Sequence, residues 1–176
     1  MKELDLEHLE KYFKTIWKSN LDQYTYSGWA LLDRVSKDEH ILDVGCGFNE
    51  FKKYLPNLIG IDPYNSNADI IVSIEEYQTT QKFDIIFCLG SINFGDQSMI
   101  ESQIKKVVSL LKPGGKIYWR QNPGYHDHKS NECKNIKFYE WTFMDNYNYA
   151  YKNNCRVEFI DEDCNRLYAE WMKCKS

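Results

Sequence analysis

Two carboxylates and a pair of glycines carry the strongest chemical signal in this 176-residue chain. Asp43 sits in the apolar run Ile41-Leu42-Asp43-Val44, which leads into Gly45-Cys46-Gly47-Phe48-Asn49-Glu50, and Asp62 closes a second apolar run, Leu58-Ile59-Gly60-Ile61-Asp62. Glycines behind a buried strand let the backbone turn tightly and approach a ligand, and a helix start after them offers free N–H groups to an anion. A carboxylate about 20 residues further on, at the end of the next strand, is placed to accept from ribose hydroxyls. The pattern predicts a ligand that contains a ribose. The dinucleotide fingerprint G-x-G-x-x-G is incomplete, because Glu50 stands in its third place.

Proton chemistry is offered by Gln121-Asn122-Pro123-Gly124-Tyr125-His126-Asp127-His128. In this loop His126 offers an imidazole, a group whose unperturbed pKa suits proton removal near neutrality. His126, Asp127 and His128 lack a further spaced ligand, so no metal site is expected. The 6 cysteines, at 46, 88, 133, 155, 164 and 174, form no C-x-x-C pair and read as reduced. Cys88 lies inside a predicted strand and reads as core.

These residues need a scaffold, and the hydrophobic pattern supplies one. Leu6, Leu9, Phe13, Ile16 and Trp17 recur at helical spacing, predicting an amphipathic helix over 5–18. A second helical stretch carries Trp29, Leu32 and Val35, after the polar aromatic segment Gln23–Gly28. Residues 50–55 are helix-compatible until Pro56. Asp62–Asn67 reads as a loop, Ala68–Ser73 as a short third strand, and Phe83–Leu89 as a central strand buried on both faces. Ile100, Ile104, Val107, Val108 and Leu111 mark a long helix that stops at Lys112-Pro113-Gly114-Gly115, before a strand over 116–120. A helix over 138–152 precedes two alternating runs, 156–159 and 167–171, that predict a closing antiparallel hairpin. Ligands in an open α/β sheet sit beyond the carboxyl ends of the strands, which puts Leu89, Gly90 and Ser91 opposite the Gly45 loop and Asn93 on the side of a second substrate.

Asp43-Val44-Gly45-Cys46-Gly47, the spaced Asp62 and the Leu111–Gly115 turn with its following strand resemble, in that order, the class I S-adenosylmethionine-dependent methyltransferases. Asn49 stands where that family's loop usually has a third glycine; Asn tolerates the left-handed backbone region. The resemblance implies an α/β fold, a three-layer Rossmann-like sandwich with a seven-stranded, mostly parallel sheet closed by a C-terminal antiparallel hairpin. It implies S-adenosylmethionine as cofactor, with S-adenosylhomocysteine as product. The implied cofactor residues are Tyr26, Asp43, Gly45, Cys46, Gly47, Asp62, Pro63, Tyr64, Ser73, Ile74, Leu89, Gly90 and Ser91. Tyr64 could stack on adenine, Glu75 adjoins the adenine edge, and Tyr24, Tyr26 and Trp29 are candidates to border the methionine end, simple helix packing being the alternative for Trp29. The acceptor residues are Asn93, Asn122 and Tyr125, with His126 as the candidate base. An Asn-Pro-Pro-Tyr type loop of base-modifying relatives belongs after the fourth strand, whereas Asn122-Pro123-Gly124-Tyr125 follows the fifth, so DNA adenine methylation is not expected.

Length fits one domain over 1–176, with capping helices in 1–36 and a catalytic core over 39–176. A net charge of -4 gives no global case for gripping a nucleic acid, so a small-molecule acceptor is expected. The acidic N-terminus and the lack of long apolar runs predict a cytoplasmic protein without membrane spans. A nicotinamide-dependent oxidoreductase would share the sheet and Asp62 but would leave the hairpin unexplained. A binding protein without catalysis is the other alternative.

Overall fold

A computed structural model describes residues 5–123 and 136–175. Six strands, β1 (Ile41–Val44), β2 (Leu58–Ile61), β3 (Phe83–Leu89), β4 (Leu111–Gln121), β5 (Cys155–Glu162) and β6 (Leu167–Lys173), form one sheet in the order β2-β1-β3-β4-β6-β5. β2, β1, β3 and β4 run parallel, and β6 runs antiparallel to both β4 and β5. Strand order reverses direction between β1 and β3, creating the switch point at which such sheets open a crevice.

The period-two alternation of side chains divides the core into two faces. Leu42, Ile86, Cys88, Ile117, Trp119, Ala169 and Trp171 pack with helices α2 (Gln97–Leu110) and α3 (Phe143–Lys152). Ile41, Ile85, Phe87, Tyr118 and Tyr168 face the other way, against Leu31, Val35, Phe51 and Leu55. That second layer is thin. The helical stretch expected around Trp29 is a 3-10 segment, Gly28–Asp33, and the one expected after the glycine loop is only Glu50–Lys53. The N-terminal helix α1 (Leu6–Thr15) forms as the periodicity predicts, capped by the Asp5 carboxylate on the His8 N–H. Asp96 caps α2 in the same way, and Thr142 with Asp145 makes a capping box on α3.

Among the described residues the sheet has six strands where seven were expected, and the expected third strand is not one of them. Residues 68–73 make a single parallel bridge, Ile61 with Ile70, and three backbone hydrogen bonds to Gly60 and Asp62. The Asp69 side chain takes the Gly60 N–H at 2.8 Å, so a carboxylate replaces the next rung of a backbone ladder. The expected hairpin is present. Its turn, Asp163–Arg166, holds Cys164 and Asn165 at φ 50 and 60, the two left-handed central residues that match the twist of a tight hairpin.

Asp163 joins that turn to the N-terminal segment. It accepts from the backbone N–H groups of Thr25, Tyr26 and Ser27 and from the Ser27 hydroxyl, at 2.6 to 3.1 Å. Residues 16–24 are thereby led back across the carboxyl edge of the sheet, and α1 is laid over it.

Candidate functional site

Beyond the carboxyl ends of β1 and β3 lies a cavity of about 620 Å³, continuous with a smaller one of about 300 Å³ through Gly45, Leu89, Tyr24, Arg120 and Arg166. Its floor is the glycine loop. Gly45 and Gly47 adopt φ 69 and 54, and the Gly45 and Cys46 N–H groups donate to the Ile61 carbonyl. A Cβ on Gly45 would stand 2.3 Å from the Ser91 Cβ, so the two loops meet at a distance only glycine permits. Asn49 holds φ 55 and ψ 38, the left-handed conformation expected of it.

Asp62 fastens this loop to the next. One carboxylate oxygen accepts from the Tyr64 and Asn65 N–H groups, the other from the Gly47 N–H at 3.0 Å. Ionised oxygens accept about two hydrogen bonds each, so the second oxygen keeps capacity for a hydroxyl donor. Asp43 lies beneath, fully buried, lining the smaller cavity. Burial pushes its carboxyl up to about 7, with Arg120 opposing the shift and Asp62 adding to it. Burial also raises the thiols of Cys46 and Cys88, which keeps both protonated and unsuited to nucleophilic attack.

Gly45, Gly47, Asp62, Pro63, Tyr64, Ser73, Ile74, Leu89, Gly90 and Ser91 all line the larger cavity, and Asp43 and Cys46 the smaller. Gly90, at φ 105, is kept open: a Cβ there would meet only the Arg120 Nη2, at 3.8 Å. The Ser91 hydroxyl is buried without a partner among the described residues. Asn93 and Asn122 are brought together, the Asn93 Oδ1 accepting from the Asn122 N–H at 2.9 Å, and both face the cavity.

Tyr26 is placed elsewhere. Its ring stacks on Tyr168 and its hydroxyl donates to Asp161, away from the cavity lining. Trp29 packs edge-on against Phe51 and Tyr54, which is the helix-packing alternative. Tyr24 does line the cleft. Tyr64 lines it too, but one face of its ring is stacked parallel to Phe13 at 6.1 Å. Tyr125, His126, Asp127 and His128 lie outside the described residues. Among the described residues, no group of three His, Cys, Asp or Glu side chains could hold a metal ion.

Several lining residues were not anticipated. Leu9, Tyr12, Phe13 and Trp17 of the N-terminal segment roof the cavity, Phe94 and Phe138 extend its aromatic wall, and Arg120 and Arg166 enter from the hairpin side. Arg120 left a trace in the sequence, as a lone charge closing the apolar run Ile117-Tyr118-Trp119 at a strand's carboxyl end. Arg166 left none, because only the folded turn brings it to the cleft.

The chain matches no protein-family model. It is 27% identical over 128 residues to the ubiquinone biosynthesis O-methyltransferase of Coxiella burnetii, a match covering 61% of this chain and 50% of that protein. The chain thus spans about half the length of the curated relatives it matches. Among solved structures it superposes on the N-methyltransferase NodS from Bradyrhizobium japonicum bound to S-adenosylhomocysteine, with TM-score 0.62, 16% identity, and 95% of this chain and 97% of that one covered. An S-adenosylmethionine-bound amino pentose methyltransferase from Micromonospora echinaspora gives TM-score 0.64 at 14% identity, covering 97% of each chain. A Burkholderia thailandensis 1,6-didemethyltoxoflavin-N1-methyltransferase gives 0.67 at 13% identity, covering 83% and 76%. The fold is that of the class I S-adenosylmethionine-dependent methyltransferases.

Proposed function

We propose that this chain, built on the class I methyltransferase fold, is an enzyme that transfers a methyl group from S-adenosylmethionine to a small-molecule acceptor. The observation that carries the reading is the convergence, on one cavity at the β1/β3 switch point, of the Gly45–Gly47 loop, the Asp62 carboxylate and Gly90-Ser91. The residues fit such a cofactor. Asp62 retains an acceptor for the ribose, Ser91 holds a buried hydroxyl in need of a partner, and the Gly90 surface is approached only by the Arg120 guanidinium. Ser73 and Ile74 line the same cavity beyond Asp62, where the adenine end would lie.

When bound, the cofactor supplies a methyl group on an already activated sulfonium, so the chain's task is proximity and alignment. The glycine loop and Asp62 hold one ligand in register with the sheet edge. The Asn93 side-chain amide, fixed by the Asn122 backbone N–H, and Asn122 offer the acceptor polar contacts on the adjoining wall. Tyr12, Phe13 and Trp17 cover the space from above, and exclusion of water there strengthens every polar contact beneath. A general base is required only for an acceptor that must lose a proton. That role for His126 is proposed on the chemistry of imidazole alone, and turnover by His126→Ala tests it.

Binding decides the reading. S-adenosylhomocysteine at about 100 times its dissociation constant should stabilise the protein by about 2.7 kcal/mol. NAD should give no shift. A melting-temperature rise with NAD and none with S-adenosylhomocysteine reverses the assignment.

A further inference from the structure

Asn93 follows the carboxyl end of β3 and is only 4% exposed, yet it lines the larger cavity. Its Oδ1 accepts from the Asn122 backbone N–H at 2.9 Å. A backbone N–H can only donate, so the oxygen branch of the amide is fixed on that side and the Nδ2 branch on the other. Nδ2 donates to no described residue and, unlike the Ser91 hydroxyl, is not sealed from open space. A buried side chain with an unused donor therefore borders the cleft.

The backbone acceptors around it are already engaged. The Ile92 carbonyl accepts from the Trp141 Nε1–H, the Asn93 carbonyl from the Tyr139 N–H and the Asn122 carbonyl from the Trp141 N–H, at 2.8 to 2.9 Å. What this part of the wall offers a second ligand is a hydrogen to accept. Methyl transfer makes that selective. A neutral amine has one lone pair, which must reach the methyl carbon, and its N–H groups would stand against the Asn93 N–H groups without an acceptor. An ionised hydroxyl oxygen has lone pairs for both, one for the methyl carbon and another for Nδ2. Phe94 adjoins Asn93 in the chain and joins Phe13 and Phe138 at centroid distances of 5.5 and 5.3 Å, a wall of rings against which a planar ring packs.

We propose that the methyl acceptor is attacked at oxygen, a phenol- or enol-type hydroxyl on a planar apolar ring, and that the Asn93 Nδ2 donates to that oxygen. The inference rests on the methyl-transfer reading and gives its acceptor a chemical class. Such a hydroxyl is acidic enough to react as the anion, its proton having passed to water. An oxygen lone pair forms the O–CH3 bond as the C–S bond breaks, and the bonding pair stays on sulfur, leaving the neutral thioether of S-adenosylhomocysteine. The Asn93 donor holds the oxygen in line and stabilises its ionised form.

The anion of para-nitrophenol, buffered above its pKa, and para-nitroaniline, its amine counterpart of the same shape, are titrated calorimetrically into protein saturated with S-adenosylhomocysteine. Wild type should bind the phenol at least about tenfold more tightly, the scale of one hydrogen bond made against one donor left opposed. Asn93→Asp keeps an oxygen for the Asn122 N–H and puts a second oxygen in place of Nδ2, so it should lose or invert the preference. Asn93→Ala removes the donor without adding a charge; it should also erase the preference, and it suffices where Asn93→Asp fails to fold. Affinity for S-adenosylhomocysteine should stay within about threefold in both variants. Equal binding of the two probes, binding of neither, or a preference that survives in a folded variant overturns the proposal. So does a larger loss of S-adenosylhomocysteine affinity in the folded variants, because Asn93 would then serve the cofactor. Wild type that fails to bind S-adenosylhomocysteine sinks the methyl-transfer reading instead, and does so before either probe is added.

Discussion

Asp163 accepts both the backbone N–H and the hydroxyl of Ser27, each at 2.9 Å. Both residues are buried, and the same carboxylate serves Thr25 and Tyr26. The segment that roofs the cleft is thus anchored by one side chain from the far end of the sheet.

Removing that anchor should be severe. Asp163→Ala leaves several buried donors unsatisfied and should cost about 3 kcal/mol or more, measured by urea unfolding. A loss below about 1 kcal/mol would show that water or a rearranged turn replaces the carboxylate.

Asp43 should make stability fall as pH rises. Its carboxyl titrates near 3.8 when free of the fold and at about 7 within it, so between these values the native state holds a proton that the unfolded state has released. Native stability is then highest below pH 4, declines toward pH 7 and levels off above it, by on the order of 4 kcal/mol for this group. Asp43→Asn should flatten that part of the pH profile relative to wild type. Parallel profiles for the two proteins would refute it.

Asp62 has two duties, and its substitutions should separate them. Asp62→Ala loses the tie among Gly47, Tyr64 and Asn65 as well as the proposed ribose acceptor, so both melting temperature and S-adenosylhomocysteine affinity should fall. The affinity loss should be about 1.5 to 3 kcal/mol by calorimetry. An Asp62→Ala protein that folds and binds S-adenosylhomocysteine as tightly as wild type would remove the ribose role.

Gly45→Ala should be destabilised for two reasons that a second substitution can split. The new Cβ both occupies a left-handed backbone position and overlaps the Ser91 Cβ. Adding Ser91→Gly relieves the overlap and should leave a residual cost of about 1 kcal/mol from backbone conformation. Additive effects in that double-mutant cycle would mean the overlap is absorbed elsewhere.

The glycine loop, Asp62, Gly90-Ser91 and the hairpin were legible because each is written locally, as an apolar run with its own terminator. What escaped the sequence depends on contacts between distant residues. Asp163 reads as an ordinary turn residue until Thr25–Ser27 meet it, and Tyr24 and Tyr26 are indistinguishable until one stacks on Arg120 and the other on Tyr168. The expected third strand has adequate β-branched content in Ile70, Ile71 and Val72. A single side chain, Asp69, reduces it to a bridge by occupying the Gly60 N–H. The short 3-10 segments were read as helices because their apolar spacing suits either geometry for one turn.

The place of β6 in the sheet bears on how the protein is made. β6 is the last strand in the sequence, yet it lies between β4 and β5 and provides the neighbour that each is paired with on that side. During synthesis β5 leaves the ribosome with no strand to pair with, and the inner flank of β4 stays open until Lys173 follows. Asp163 emerges equally late, so the N-terminal segment waits unanchored while most of the chain is built. A nascent chain arrested before β6 should present an unpaired strand edge and a roofless cleft, an intermediate suited to chaperone capture and unable to hold ligand. Closure of the sheet and anchoring of the roof therefore depend on the same late stretch of these residues, Asp163 to Lys173.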